Sequence, residues 1–268
     1  MRRMHLFEFM DLKWYPDFLR TLQTNILQVI MTRTSAFDYA IPYIDNVVEK
    51  TNTNRIVDLC SGASGPWLRL VNKLKCANVQ IILTDKYPNA EMFKIIKKQT
   101  NGKIDFIEHP IDALEVPENI TGIRTIFTGF HHFRPTEVKK LLNDAQDKNQ
   151  ALCIFDYVPN KTLTMVLFPV TFIVSLLQFY FLSFLVRPLS LTQVLFTNII
   201  PIVPLVSAWD GFVSALRKYD ADELKEIVNS LGSPNYKWEV GTDTHLSKAA
   251  PLTYLMGYPN PEKKGIQL

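Results

Sequence analysis

The chain has 268 residues, enough for one large domain or one domain with an embellishment. Hydrophobic residues make up 47% and aromatics 12%, so a sizeable core can be buried, while 29 basic and 26 acidic side chains leave a formal net charge of +3. That balance does not call for nucleic acid, and no basic stripe interleaved with aromatics is visible. The cysteines, Cys60, Cys76 and Cys153, are scattered and odd in number. They give neither a disulfide framework nor a metal site and fit a reducing compartment.

The opening Met1–His5 is followed by Glu8, Asp11 and Lys13 rather than by an apolar run, so it does not read as a secretory signal. Residues 16–32 place Phe18, Leu19, Leu22, Ile26, Leu27 and Ile30 at helical spacing, and 36–50 repeat the style with Phe37, Ala40, Ile41, Ile44 and Val47. Two amphipathic helices are predicted there, forming a cap over 1–50 packed on a sheet. Trp14, Tyr15 and Phe18 offer an alternative role as part of a lid over an apolar ligand.

From residue 55 the pattern alternates. Ile56–Leu59 reads as a strand and 66–75 as a helix with Pro66 in its first turn. Between them Cys60, Ser61, Gly62, Ala63, Ser64 and Gly65 are all small, which lets a backbone turn sharply and come close to a ligand. Val79–Thr84 is a second strand ending at Asp85, and 89–99 a helix capped by Asn89. Ile104–Ile107 is a third, followed by Asp112. Arg124–Thr128 is a fourth, followed by Gly129, Phe130, His131 and His132. Residues 135–147 make a helix, and Ala151–Phe155 is a fifth strand ending at Asp156. Strands alternating with helices of this length predict an α/β chain with a doubly wound, mostly parallel sheet.

The alternation stops at residue 158. Residues 162–186 hold no charged side chain, Arg187-Pro188 interrupts, and 189–209 again hold none. The first run is long enough to span a bilayer. Both flanks belong to one soluble domain, so a crossing must be made an even number of times. Two helices, 163–186 and 189–208, would satisfy this, and Pro169, Pro201 and Pro204 favour a shallower in-plane or re-entrant hairpin. A soluble buried lid and a dimer interface are the other readings of 158–217. Lys161, Arg217 and Lys218 on the domain side suit a cytoplasmic face of a membrane, the alternative being a soluble cytoplasmic protein. Beyond the insertion, 220–231 form a helix capped by Asp220. Tyr236–Gly241 and Thr253–Gly257 form two strands joined by a polar loop, and 260–268 a frayed tail.

Asp58, Asp85 and Asp112 follow three successive strands, whose carboxyl ends share one edge in a doubly wound sheet, where ligands bind. With the small-residue loop, these residues resemble the class I S-adenosylmethionine-dependent methyltransferases over about residues 50–160 and 218–258. The segments HLFEFMDLKWYPDFLR, FTGFHHFRP and WDGFVSALRKY are similar to an uncharacterised bacterial group within that family. The resemblance implies a seven-stranded sheet with an antiparallel C-terminal hairpin, formed by 51–157 and 218–260. It implies S-adenosylmethionine as cofactor, held by Asp58, Cys60, Ser61, Gly62, Ala63, Asp85, Lys86, Asp112, Ala113, Gly129 and Phe130. Asp85 would hold the ribose, and Asp112 with Ala113 the adenine. The family's first motif usually reads acidic-x-Gly-x-Gly-x-Gly; here Cys60 and Ser64 stand where two of those glycines are usual.

Methyl transfer needs a positioned nucleophile and, for some acceptors, a base. His132, and after it His131, sit at the edge where the methyl group should lie, with Tyr157 and Trp14 as candidate substrate contacts. The bland reading is a pair of loop histidines bonded to backbone. His109 and His245 read as structural, and no Cys/His/Asp cluster has metal spacing. The expected function is a methyltransferase for a hydrophobic or lipid-like small molecule, membrane-associated through 162–209. The alternative is a catalytically degenerate S-adenosylmethionine-binding membrane scaffold.

Overall fold

The computed structural model describes residues 3–76, 78–157, 160–232, 234–244 and 251–260. His245, most of the loop before the last strand, the tail beyond residue 260 and the first residues of the insertion lie outside the described residues. Seven strands form one sheet: β1 Arg55–Leu59, β2 Gln80–Leu83, β3 Ile104–Phe106, β4 Ile123–Phe127, β5 Leu152–Tyr157, β6 Tyr236–Asp243 and β7 Leu252–Pro259. Their spatial order is β3-β2-β1-β4-β5-β7-β6. The first five are parallel, with Val57 opposite Ile82 and Arg124, while β7 runs antiparallel to both β5 and β6. This is the predicted topology, hairpin included.

Adjacent strand residues point to opposite faces, so each strand feeds two cores. Ile56, Ile81, Cys153 and Phe155 face one, covered by α2 (Ile41–Thr51), α3 (Trp67–Leu70) and α4 (Ala90–Gln99). Val57, Ile82, Ile126 and Ile154 face the other, covered by α5 (Pro135–Asp147) and α10 (Ala221–Asn229). Local chemistry sets the helix starts. Asn89 Oδ1 accepts from Met92 N, and Asp220 forms a capping box with Glu223. The helix expected over 66–75 is one turn only. Lys73 N bonds Leu70 O at 2.8 Å and Lys75 N bonds the Asp45 carboxylate at 3.1 Å, so a side chain from α2 captures the backbone that would have continued the helix.

The N-terminal cap also differs from expectation. α2 packs on the sheet, but α1 (Asp17–Arg33) does not. Leu19, Leu22, Ile26 and Val29 on one face of α1 form a third core with Phe179, Val186 and Val203 of the insertion. That insertion is a bent helical hairpin: α6 Lys161–Val166, α7 Phe168–Leu182, α8 Leu191–Val194 and α9 Ile202–Arg217. Its breaks fall at Pro169 and Pro201, where proline cannot continue a preceding helix. The stretch Phe168–Leu185 is long and apolar enough to cross a membrane, and Leu191–Ile199 with Ile202–Arg217 passes the same test as a pair bent by 69°. Val170, Ile173, Val174, Leu177 and Phe181 form an exposed apolar stripe along α7. Lys161, Arg217 and Lys218, which flank the insertion on the domain side, are buried. Lys161 pairs with Asp220, Arg217 with Glu8 and Asp11, and Lys218 donates to Pro251 O.

Candidate active site

A cleft of about 820 Å³ opens at the carboxyl edge of β1, β2 and β4. Its floor is the small-residue loop after β1. Asp58 does not line it. One Asp58 oxygen accepts from the Thr125 hydroxyl and the other from the Ser61 hydroxyl, both at 2.6 Å, so this carboxyl ties the loop to β4 from beneath. Burial pushes its pKa up to about 7, against the pull of those two hydroxyls.

The altered glycine positions keep the glycine backbone. Cys60 has φ +58° and Ser64 φ +96°, beside Gly62 at +55° and Gly65 at +51°. Left-handed conformations at the non-glycine positions cost about 1–3 kcal/mol each, so the surrounding contacts impose this turn. Thr128, at φ +52°, is a third such residue on the cleft wall. A Cβ on Gly62 would lie 3.2 Å from Thr24 Cγ2, and one on Gly129 would lie 3.2 Å from Cys60 Cβ. Backbone is bare where the walls come closest.

Gly62 N donates to Asp85 Oδ2 at 2.7 Å and Tyr87 N to Asp85 Oδ1 at 2.8 Å. Burial raises the Asp85 pKa, opposed by these amides. Across the mouth, Lys86 Nζ donates to Asp112 Oδ2 at 2.7 Å. Burial pushes the Asp112 carboxyl up, but the Lys86 bond and the Leu114 N–H outweigh it and hold it below its ordinary value. Cys60, Ser61, Gly62, Ala63, Asp85, Lys86, Asp112, Ala113, Gly129 and His132 all line the cleft. Phe130 does not; it is buried in the second core against Tyr219. Tyr157 packs on Phe37 beneath the sheet edge, and Trp14 is 70% exposed beside Phe9, so neither expected substrate contact faces the cleft.

The opposite wall was missed in the sequence. Asp17, Arg20, Thr21, Thr24, Leu27, Gln28 and Met31 of α1 line it, spaced three and four apart along one helix face. Helical spacing of the polar ones, Asp17, Arg20, Thr21, Thr24 and Gln28, was the available signal. Arg20 lies 3.8 Å over the Tyr87 ring and donates to the carbonyls of Met10 and Leu12. Those carbonyls belong to an N-terminal strap, residues 3–12, that crosses the end of the cleft. The strap is fastened by Met4 N to Leu216 O at 3.0 Å, by Arg3 to the carbonyls of His131 and Phe133, and by Phe9 N to Asp210 Oδ1 at 2.8 Å.

Under the strap lie the two histidines. His132 stands on the cleft wall, bonding Asp11 Oδ1 at 2.7 Å through Nδ1. Burial alone would lower its pKa, but the Glu8 and Asp11 carboxylates outweigh it and raise it to about 9. His131 lies one layer behind, fully buried, with Nδ1 3.0 Å from Asp156 Oδ1. The bland expectation, that both bond backbone through their rings, is replaced by carboxylate partners.

No protein-family model matches the chain. No curated protein matches it either. Among solved structures, the plantazolicin methyltransferase BpumL in complex with SAH aligns over 91% of this chain and 96% of its own, at 11% identity and a TM-score of 0.52. The fold is that of the class I S-adenosylmethionine-dependent methyltransferases. An O-methyltransferase family protein from Burkholderia thailandensis aligns over 84% of this chain at 11% identity and a TM-score of 0.48. The mitomycin 7-O-methyltransferase MmcR aligns over 84% at 12% identity and 0.46. The chain spans little more than half of these two, 56% and 54% of their lengths. In this methyltransferase fold the cleft occupies the carboxyl edge of the sheet, and α1 and the strap are the parts laid over it.

Proposed function

We propose that this protein is an S-adenosylmethionine-dependent methyltransferase acting on a hydrophobic or lipid-like small molecule taken from a membrane surface. The observation that carries the cofactor is the Gly62–Asp85 wall facing Arg20 across one cleft. The fit rests on features of the cleft itself. Gly62 and Gly129 leave room that a Cβ would take, and Thr128 Oγ1 is buried without a hydrogen-bond partner among the described residues. Asp85 would accept from ribose hydroxyls, Asp112 from the adenine amino group, and Arg20 would face the carboxylate. The cofactor supplies an electrophilic methyl group on a sulfonium. The chain's own work is to orient the acceptor, exclude water with the strap, and hold His132 at the Gly129 end through its Nδ1 bond to Asp11.

The acceptor class and the membrane rest on the α7 stripe. α1 has one face in the cleft and the other on the insertion, so an apolar molecule entering along the insertion meets the cleft wall directly. Because α9 ends in buried Asp210 and Arg217 and α7 packs on α1 and α9, an in-plane hairpin at a cytoplasmic membrane face is favoured over two lipid-surrounded spans. The degenerate-scaffold alternative loses ground, because Cys60 and Ser64 adopt the backbone that glycines would.

Calorimetry with S-adenosylhomocysteine tests the cofactor. Wild type is expected to bind one equivalent. Asp85→Ala is expected to bind at least about tenfold more weakly, the value of a charged hydrogen bond of about 1.5–3 kcal/mol. No binding at millimolar ligand, or equal binding by the variant, would overturn the reading.

A further inference from the structure

The strap brings Glu8 to the two histidines across more than a hundred residues of sequence. Glu8 Oε1 lies 3.9 Å from His131 Nε2, and Glu8 Oε2 lies 3.6 Å from His132 Nδ1. One ligand atom from each of the three residues falls within 4.8 Å of the others. We propose that Glu8, His131 and His132 form a binding site for a divalent transition-metal cation.

Three observations beyond the clustering support it. Glu8 is 1% exposed, and its Oε1 is buried with no hydrogen-bond partner among the described residues. A buried carboxyl needs a cationic partner, and the one beside it, Arg217 Nη1 at 3.2 Å, is shared with Asp11, to which it is closer. Second, the Asp156 carboxylate accepts from His131 Nδ1, which leaves Nε2 as the ring nitrogen facing Glu8 Oε1, 3.9 Å away and beyond hydrogen-bond reach. A carboxylate behind an imidazole is also the arrangement that orients metal-bound histidines and raises their basicity. Third, the carboxyls of Glu8, Asp11 and Asp156 surround the two rings and outnumber the guanidinium of Arg217 among them, so a cation would take the place of the proton that His132 now holds.

Nitrogen–metal and oxygen–metal distances of roughly 2.0–2.2 Å put tetrahedral ligand atoms about 3.3–3.6 Å apart, so three atoms now within 4.8 Å of one another must draw together by up to about 1.5 Å. One carboxylate and two imidazoles favour zinc, manganese or iron over magnesium. The site adjoins the cleft through His132 but stands independently of the methyltransferase reading.

The test is calorimetry on chelator-stripped full-length protein with zinc chloride, manganese chloride and magnesium chloride in turn, followed by metal analysis of the dialysed complex. One zinc or manganese per chain is expected, with magnesium at least about tenfold weaker. Glu8→Gln and Asp156→Asn should each weaken binding by about 10–100-fold, while circular dichroism shows both folded. Exposed Cys76 is the competing zinc ligand, so Cys76→Ser should leave binding unchanged. Absence of stoichiometric zinc and manganese, binding equal in Glu8→Gln and wild type, or loss of binding in Cys76→Ser would each overturn the proposal. Because none of these readouts involves S-adenosylhomocysteine, failure here and failure of the cofactor test are separable.

Discussion

Asp58 shows how one side chain can serve a ligand loop without touching the ligand. Its sequence position, closing the first strand, marked it for the cofactor. The structure uses both of its oxygens to bind Ser61 and Thr125, so the turn through Cys60 and Gly62 is held from below. A measurable consequence follows from its folded-state pKa of about 7, above the ordinary 3.8. The folded state holds the proton more tightly, so the contribution is full below pH 3.8 and lost as pH rises to about 7. Wild type is therefore expected to lose stability relative to Asp58→Asn across that window, by at most about 4 kcal/mol, and to run parallel to it above. Denaturant midpoints at a series of pH values check this; a constant difference from pH 4 to 8 would show the carboxyl ionised throughout. The residue scale was only partly legible. Asp85, Asp112 and the loop stand at strand ends that apolar runs announce, whereas Arg20 and Glu8 gain their roles from contacts with Tyr87, His131 and His132 far along the chain.

At the scale of elements, α1 matters most, because it has two working faces. Polar Arg20, Thr24 and Gln28 face the cleft, and Leu19, Leu22, Ile26 and Val29 face the insertion. Its periodicity was readable, but which partner each face meets was not, since an amphipathic pattern specifies only that something apolar lies opposite. The insertion was readable as apolar and hairpin-like. Its internal side, Phe179, Val186 and Val203, needed the position of α1 to be told from its external side. That external side gives the prediction of this scale. Wild type should float with phospholipid vesicles. Ile173→Lys combined with Leu177→Lys, one helical turn apart on the exposed stripe, should remain unfloated with S-adenosylhomocysteine binding unchanged. Wild type left behind by the vesicles would remove the membrane from the proposed function.

At the scale of the whole molecule, the cleft is assembled from the strap, α1 and the edge of the sheet, parts that the backbone alone does not hold together. A ligand bridging them should stabilise the fold. At a hundredfold excess over its dissociation constant, S-adenosylhomocysteine is expected to add about 2.7 kcal/mol and raise Tm by roughly 5–10 °C, with a smaller rise for Asp85→Ala at the same concentration. Scanning calorimetry decides it, and an unchanged Tm would mean that the parts do not close on that ligand. The chain by itself determined the alternation of strands and helices, the two terminal strands and the loop where a cofactor would sit. Each of those is written in local periodicity, strand-end acids and small residues. Only the tertiary structure decided that α1 and the strap wall the cleft, that Lys161, Arg217 and Lys218 turn inward, and that Glu8 meets His131 and His132. The physical reason is that burial and charge pairing act between residues distant in the chain, where no periodicity records them.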